Sequence, residues 1–287
     1  MRRIRLAVVG IFILSLIAFI VFNIVNRITK DSAPPVITSE SDTITVSVAA
    51  EEAELLAGVT AEDDEDGDLT GDIMISSMSN FTEPGKRTIN YVVFDKSNNA
   101  ATLTRTLEYT DYTSPQIKLT EPLRYTMSEM EDVSLTENMS VQDCLDGDIT
   151  QQIRATYNDS TYVTRAGEYG ATVQVSNSAG DTCSVPLTVT VTDPAEEQGK
   201  YYPMLSDYIV YAPIGGYVDL TSLVIGLESS GAQYLFADNL TYAPGSIENV
   251  VINGAVDYNT AGTYTVDYLF TSADGVTATT KLAVVVG

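Results

Sequence analysis

The chain has no histidine, no tryptophan, two cysteines, and only 15 basic residues against 39 acidic ones. Without histidine there is no Ser-His-Asp or Cys-His nucleophile, and a zinc ion loses its commonest nitrogen ligand. The formal net charge of −24 repels nucleic acid and anionic lipid and attracts cations or basic partners. No nucleic-acid partner, cofactor, metal centre or catalytic residue is therefore expected, and solvation of an exposed surface is the ordinary reading of the charge. A long helical pattern is also missing beyond residue 30. Val, Thr, Ile and Tyr are abundant instead, which favours strands.

The N-terminus is the exception. Arg2, Arg3 and Arg5 precede an apolar run over residues 6–25, interrupted only by Gly10, Ser15 and Asn23. About 20 apolar residues suffice for a helix to cross a bilayer core. The positive-inside rule puts residues 1–5 in the cytoplasm as a tail, residues 6–26 in the membrane, and a tether at 27–33 outside. The rival is a cleaved signal peptide, whose apolar region is usually shorter and ends in a small-residue site. Phe22, Asn23, Ile24 and Val25 offer no such site. Residues 1–30 hold five basic residues and no acidic one, so the remainder carries 10 basic against 39 acidic.

An internal duplication organises that remainder. Pro35 and Ile37 recur as Pro115 and Ile117, 80 residues on. Asp63, Asp66, Gly67, Asp68, Leu69 and Thr70 recur at the same offset as Asp143, Asp146, Gly147, Asp148, Ile149 and Thr150. Gly85 and the strand pattern Ile89, Tyr91, Val93, Asp95 match Gly167 and Ala171, Val173, Val175, Asn177 at an offset of 82, so two residues are inserted between. A fainter third copy shows in Ala261, Gly262, Tyr264, Val266 and Tyr268, which echo Ala166, Gly167 and Tyr169, without the Asp-Gly-Asp signature. The boundaries are 34–112, 113–192, a solvated linker at 193–200, and a divergent domain at 201–287. Alternation such as Ile44, Val46, Val48 predicts strands with one buried face. Gly85, Gly167 and Gly262 precede such strands, where a positive φ would require glycine. Pro186 predicts an edge strand or a bulge.

The Pro-x-Ile start, the D-x-x-D-G-D-[LI]-T element, the Gly-led turn and the terminal alternating strand together resemble bacterial immunoglobulin-like surface repeats, of the type named from a pesticidal crystal protein. The expected fold class is all-β: tandem immunoglobulin-like β-sandwiches preceded by one N-terminal transmembrane α-helix. The resemblance implies a single-pass membrane protein with extracellular structural, adhesive or partner-binding modules. It carries no catalytic residues.

Three constellations bear on chemistry. Asp63, Asp64, Glu65, Asp66 and Asp68 suggest calcium, but with Gly67 at position 6 of an EF-hand-like loop, position 12 is Ile73. The second copy gives Gln142, Cys144, Asp146 and Ile153, and fails likewise. A turn is favoured, with Asp66, Gly67, Asp68 and Asp146, Gly147, Asp148 as signature residues and weak calcium binding at most. Cys144 and Cys183 occur together in one repeat without counterparts in the other, which argues for a disulfide over two free thiols. The third domain holds ten of the 17 tyrosines (201, 202, 208, 211, 217, 234, 242, 258, 264 and 268). They line a half-buried sheet or bind a surface protein or glycan. The function expected is a spacer, adhesion or partner-binding module. The alternatives are an envelope-assembly component pairing through edge strands, a glycan-binding third domain, and a carboxylate-based glycosidase. Asn80, Asn138, Asn158 and Asn239 head glycosylation sequons, which a bacterial source makes chance matches.

Overall fold

The computed structural model describes residues 2–29, 31–131, 133–158, 163–238 and 244–287; side chains within the helix are described for residues 8–25. Ser160, Tyr242 and the sequon at 239–241 lie outside these residues, as do the side chains of Arg2, Arg3 and Arg5. The chain folds into β-stranded domains preceded by one long apolar helix. It divides into two compact units, Met1–Thr110 and Asp111–Gly287.

In the first unit the helix runs over Arg2–Thr29, and its Val8–Val25 stretch is fully exposed. Its polar side chains bond within the helix: Ser15 Oγ donates to the Phe12 carbonyl (2.9 Å) and Asn23 Nδ2 to the Phe19 carbonyl (2.8 Å). An apolar phase offers such groups no other partner, so this helix suits a single-pass anchor. Two sheets follow. One orders Val36–Ser39, Val59–Asp63 and Gly67–Asp68. The other orders Met74–Met78, Lys86–Phe94, Ala100–Tyr109 and Thr43–Val46, the last pair parallel. Their core joins Ile44, Val59, Leu69, Ile89, Tyr91, Val93 and Leu107. Period-two alternation puts Ile89, Tyr91 and Val93 on one face, where each is fully buried.

The second unit repeats this four-strand order twice. Arg154–Tyr157, Gly167–Ser176, Thr182–Thr192 and Arg124–Thr126 form one sheet; Val250–Asn253, Gly262–Thr271, Thr277–Val286 and Ile209–Ala212 form another. In each the last strand pairs in parallel with the long third strand. The faint third copy in the sequence thus shares this four-strand sheet. A single core runs through both, from Ile117 and Val173 to Tyr268 and Val284. Residues 193–200 lie within this unit: Asp193 caps the short turn Pro194–Glu196, and Glu197 accepts from Lys200 and Tyr202. Pro186 lies opposite Thr172, with its other side open because Arg124–Thr126 pairs only with residues 190–192. Gly85 and Gly167 have φ of +77° and +154°. Gly262 is not in that region; it opens its strand in ordinary backbone.

The expected Cys144–Cys183 disulfide is not formed: both are free, half-buried thiols. Cys144, in the turn after Gln142–Asp143, donates to the Thr113 carbonyl (3.3 Å). Cys183 sits opposite Val175 in the long hairpin and faces the Tyr211 hydroxyl (3.5 Å). A bridge needs Cβ atoms about 3.5–4.5 Å apart with converging vectors, and these two sulfurs turn to different segments.

Candidate functional site

The signature turn is built the same way in both copies. Asp63 Oδ1 accepts from the amides of Glu65 and Asp66 (2.9 Å each), and Asp143 Oδ1 from those of Leu145 and Asp146 (2.9 and 3.0 Å). Gly67 and Gly147 follow at φ +77° and +72°, the left-handed region that side chains resist. Asp68 and Asp148 then accept from the Thr70 and Thr150 amides (2.9 Å each). Hydrogen bonding holds both carboxyls below the usual carboxylate range, for Asp148 first from the Thr150 side chain and then its amide, for Asp68 first from the Thr70 amide and then its side chain. Thr70 and Thr150 in turn accept from the Ala61 and Val141 amides (3.1 Å each).

Asp66 and Asp146 differ from the local role expected of them. Each reaches across to the next hairpin. Asp66 accepts from the Lys96 amide and ammonium (2.7 and 2.9 Å), which lowers its pKa, and Asp146 from the Ser178 amide and hydroxyl (2.5 and 2.6 Å). The turn therefore clips the loop at 95–99 in one copy and 177–181 in the other.

That clip brings together carboxylates far apart in sequence. Oxygens of Asp31, Asp63 and Asp95 all lie within 4.8 Å of one another. Asp63 and Asp95 are only 8% and 5% exposed. Asp95 is held by the Asn99 amide and side chain (2.7 and 2.6 Å). Burial pushes its pKa up, but these bonds and one from Ser97 outweigh burial and leave it lowered. Asp31 Oδ1 accepts from the Ala33 amide (2.9 Å). The second oxygens of Asp31 and Asp63 are buried and have no hydrogen-bond partner among the described residues. Of the predicted carboxylates, Asp63 alone joins this group; Asp64 and Glu65 stay outside it. Asp31 and Asp95 escaped the sequence reading, although the repeat offsets place Asp31 with Asp111 and Asp95 with Asn177.

Of the nine described tyrosines of the third domain, three are buried, five half-buried and one exposed. Tyr202, Tyr208 and Tyr268 are buried, and Tyr211 both accepts from the Ile117 amide (2.8 Å) and donates to its carbonyl (3.1 Å). Tyr169 and Tyr264 each donate to the carbonyl four residues earlier (2.8 and 2.9 Å), which explains the shared Ala-Gly-x-Tyr pattern. Tyr217 stands out at 75% exposure.

A cleft of about 520 Å³ opens in the second unit, lined by Glu121, Arg124, Tyr125, Glu129, Tyr208 and Glu228 among others. That volume lies in the range of small-ligand sites, about 300–1,000 Å³. Arg124 pairs with Glu228 and stacks on the Tyr202 ring, 3.6 Å from its centre. Glu129 accepts from the Thr126 amide and hydroxyl (2.7 and 2.8 Å), which hold its carboxyl below the usual range, and Glu121 accepts from Asn138 (2.8 Å). A glycosidase acid needs a raised pKa. Glu129 is shifted the opposite way.

Residues 40–108 match the family described as bacterial surface protein, Ig-like domain. The match leaves out the strand Val36–Ser39 and is to that family, not to the pesticidal-crystal type in particular. No curated protein matches. Among solved structures, the CBM51-2 and INT domains of Clostridium perfringens ZmpB, in complex with GlcNAc, are 20% identical over 50% of this chain and 29% of theirs, with a TM-score of 0.22. The M60 catalytic domain of ZmpB with CBM51-1 and CBM51-2 is 12% identical over 89% and 31%, also at 0.22. Drosophila N-cadherin EC1-4 is 12% identical over 75% and 66%, at 0.22. The chain spans less than a third of the ZmpB chains. At these scores the structural likenesses carry no argument.

Proposed function

We propose that this chain is a membrane-anchored surface protein whose immunoglobulin-like sandwiches stand outside the cell and bind a protein or glycan partner without catalysing a reaction. The observation that carries the reading is the joining of a single apolar helix, Val8–Val25, to an Ig-like domain of bacterial surface type at 40–108. Arg2, Arg3 and Arg5 before the helix support a cytoplasmic N-terminus. The test is protease treatment of intact cells expressing the full chain. It should remove the mass of residues 31–287, and a protected full-length protein would refute the topology.

Within that reading, the cleft around Arg124 and Tyr125 favours a glycan or small polar ligand over edge-strand assembly. It pairs hydrogen-bonding side chains with aromatic edges, and its carboxylates are already engaged by Arg124, Thr126 and Asn138. The tyrosine-lined binding face is a weaker candidate, because Tyr202, Tyr208 and Tyr268 are buried and, among the described tyrosines of that domain, Tyr217 alone is exposed. Glycan-array binding by the full chain should fall at least tenfold in Tyr125→Ala. Unchanged binding would move the ligand elsewhere.

A further inference from the structure

We infer that Asp31, Asp63 and Asp95 form a binding site for one divalent cation of the calcium class, which fastens the segment following the membrane helix to the first β-domain. The inference is independent of the partner proposed above.

Four observations converge. The three carboxylates offer oxygens within 4.8 Å of one another, the span across two calcium–oxygen bonds of about 2.4 Å each. Each is oriented before any ion arrives. Asp63 is pinned through Oδ1 by two backbone amides, Asp31 through Oδ1 by the Ala33 amide, and Asp95 by Asn99. The free oxygens of Asp63 and Asp31 are buried without a partner, and Asp63 is more than nine-tenths buried. A buried ionised oxygen without a donor is costly, and a hard cation is the ligand that removes the cost. Finally, no salt bridge among the described residues reaches the group: Lys96, whose charge is felt at Asp63, pairs directly with Asp66.

The second repeat is an internal control. Asp143 keeps the same turn geometry, but the position of Asp95 is occupied by Asn177. Its amide donates to Asp143 Oδ2 (3.2 Å) and to the Tyr112 hydroxyl (2.8 Å), and that hydroxyl donates to Asp181 (2.6 Å). The same scaffold is therefore satisfied internally in one copy and left open to a cation in the other. The earlier objection, the missing twelfth ligand of an EF-hand, does not apply: these ligands come from three separate segments.

Asp31 lies two residues beyond the helix end at Thr29, and the Asn99 side chain also holds the Asp31 and Ala33 carbonyls (3.3 and 3.2 Å). A cation here would bind the tether, the signature turn and the loop at 95–99 to one another.

The test uses the full chain in detergent micelles with calcium chloride alone as probe, at constant ionic strength. Extracellular calcium modules bind at about 0.1–1 mM. At 10 mM calcium, unfolding of the first unit, followed by hydrogen exchange in Lys86–Phe94, should rise by about 6 °C or more. Exchange at 31–35, 63–66 and 95–99 should slow. Asp95→Asn places an amide where Asn177 stands, so it should melt higher than the parent without calcium and show no calcium shift. Asp31→Asn should also lose the shift. No shift in the parent overturns the inference. So does a shift that survives in both variants, because calcium would then be acting on the acidic surface at large.

Discussion

Arg105→Met probes what holds the first unit's edge. Arg105 is 5% exposed, and its guanidinium pairs with no carboxylate among the described residues; it donates to the carbonyls of Ser41 (2.8 Å), Ala57 (2.8 Å) and Thr43 (3.3 Å). These carbonyls flank the parallel edge strand Thr43–Val46 and the turn before Val59–Asp63, so one side chain ties both sheets. Methionine keeps the stem's volume and removes the donors. Charge-assisted bonds contribute about 1.5–3 kcal/mol each, and the two short ones dominate. Releasing the buried cation returns part of that through recovered desolvation, leaving a net loss of about 3 kcal/mol. For a unit with an 80-residue β-domain this lowers the melting midpoint by roughly 12 °C or more. With no tryptophan in the chain, the assay is hydrogen exchange read by mass spectrometry, comparing Lys86–Phe94 with Gly262–Thr271 in the second unit as reference. A second reading comes from Tyr91, whose hydroxyl donates to the Leu55 carbonyl (2.7 Å). Burial raises its pKa and Arg105 lowers it, so the variant should push phenolate formation to still higher pH. A midpoint within about 2 °C of the parent would refute the argument, because three backbone carbonyls would then have lost a charged donor at no cost.

Other outcomes follow from the same geometry. Alkylation without reductant should label both Cys144 and Cys183 in exported protein, and a mass two hydrogen atoms lighter and resistant to labelling would restore the bridge. The carboxyls of Asp66, Asp68, Asp148 and Glu129 have lowered pKa values in the fold, so the stability they contribute is present above their unfolded values of about 4 and lost as pH falls through the folded ones. The melting midpoint should hold between pH 5 and 8, in the absence of divalent ions, on this account, and drop below about pH 4; a rise on acidification from pH 5 to 3 would contradict the turn's hydrogen bonds. Gly147→Ala meets no atom within 4 Å and should cost only the left-handed backbone strain, about 1–2 kcal/mol, by urea unfolding.

Local signals were legible in the sequence because local physics sets them. A long, mostly apolar run makes a helix of membrane length, alternation makes half-buried strands, and the stretch from Asp63 to Thr70 contains within itself the acceptors and the glycine that its turn needs. The duplication marked two copies and hinted at a third, and the same four-strand order occurs three times along the chain, twice within the one compact unit Asp111–Gly287. What failed were inferences about partners distant along the chain. Joint occurrence placed Cys144 and Cys183 in one domain but could not fix the direction of either sulfur, which is set by the turn and the hairpin that carry them. Tyrosine content could not separate a binding face from a core, because Tyr208, Tyr211 and Tyr268 satisfy their hydroxyls inside. The carboxylate group was hidden for the same reason. Asp31, Asp63 and Asp95 stand 32 residues apart in turn, and only the clip from Asp66 to Lys96 brings the loop of Asp95 against the turn of Asp63. Sequence by itself determined which residues turn, span and alternate; tertiary structure decided which charges share a space, since proximity across a fold comes from strand pairing and packing that no single segment encodes.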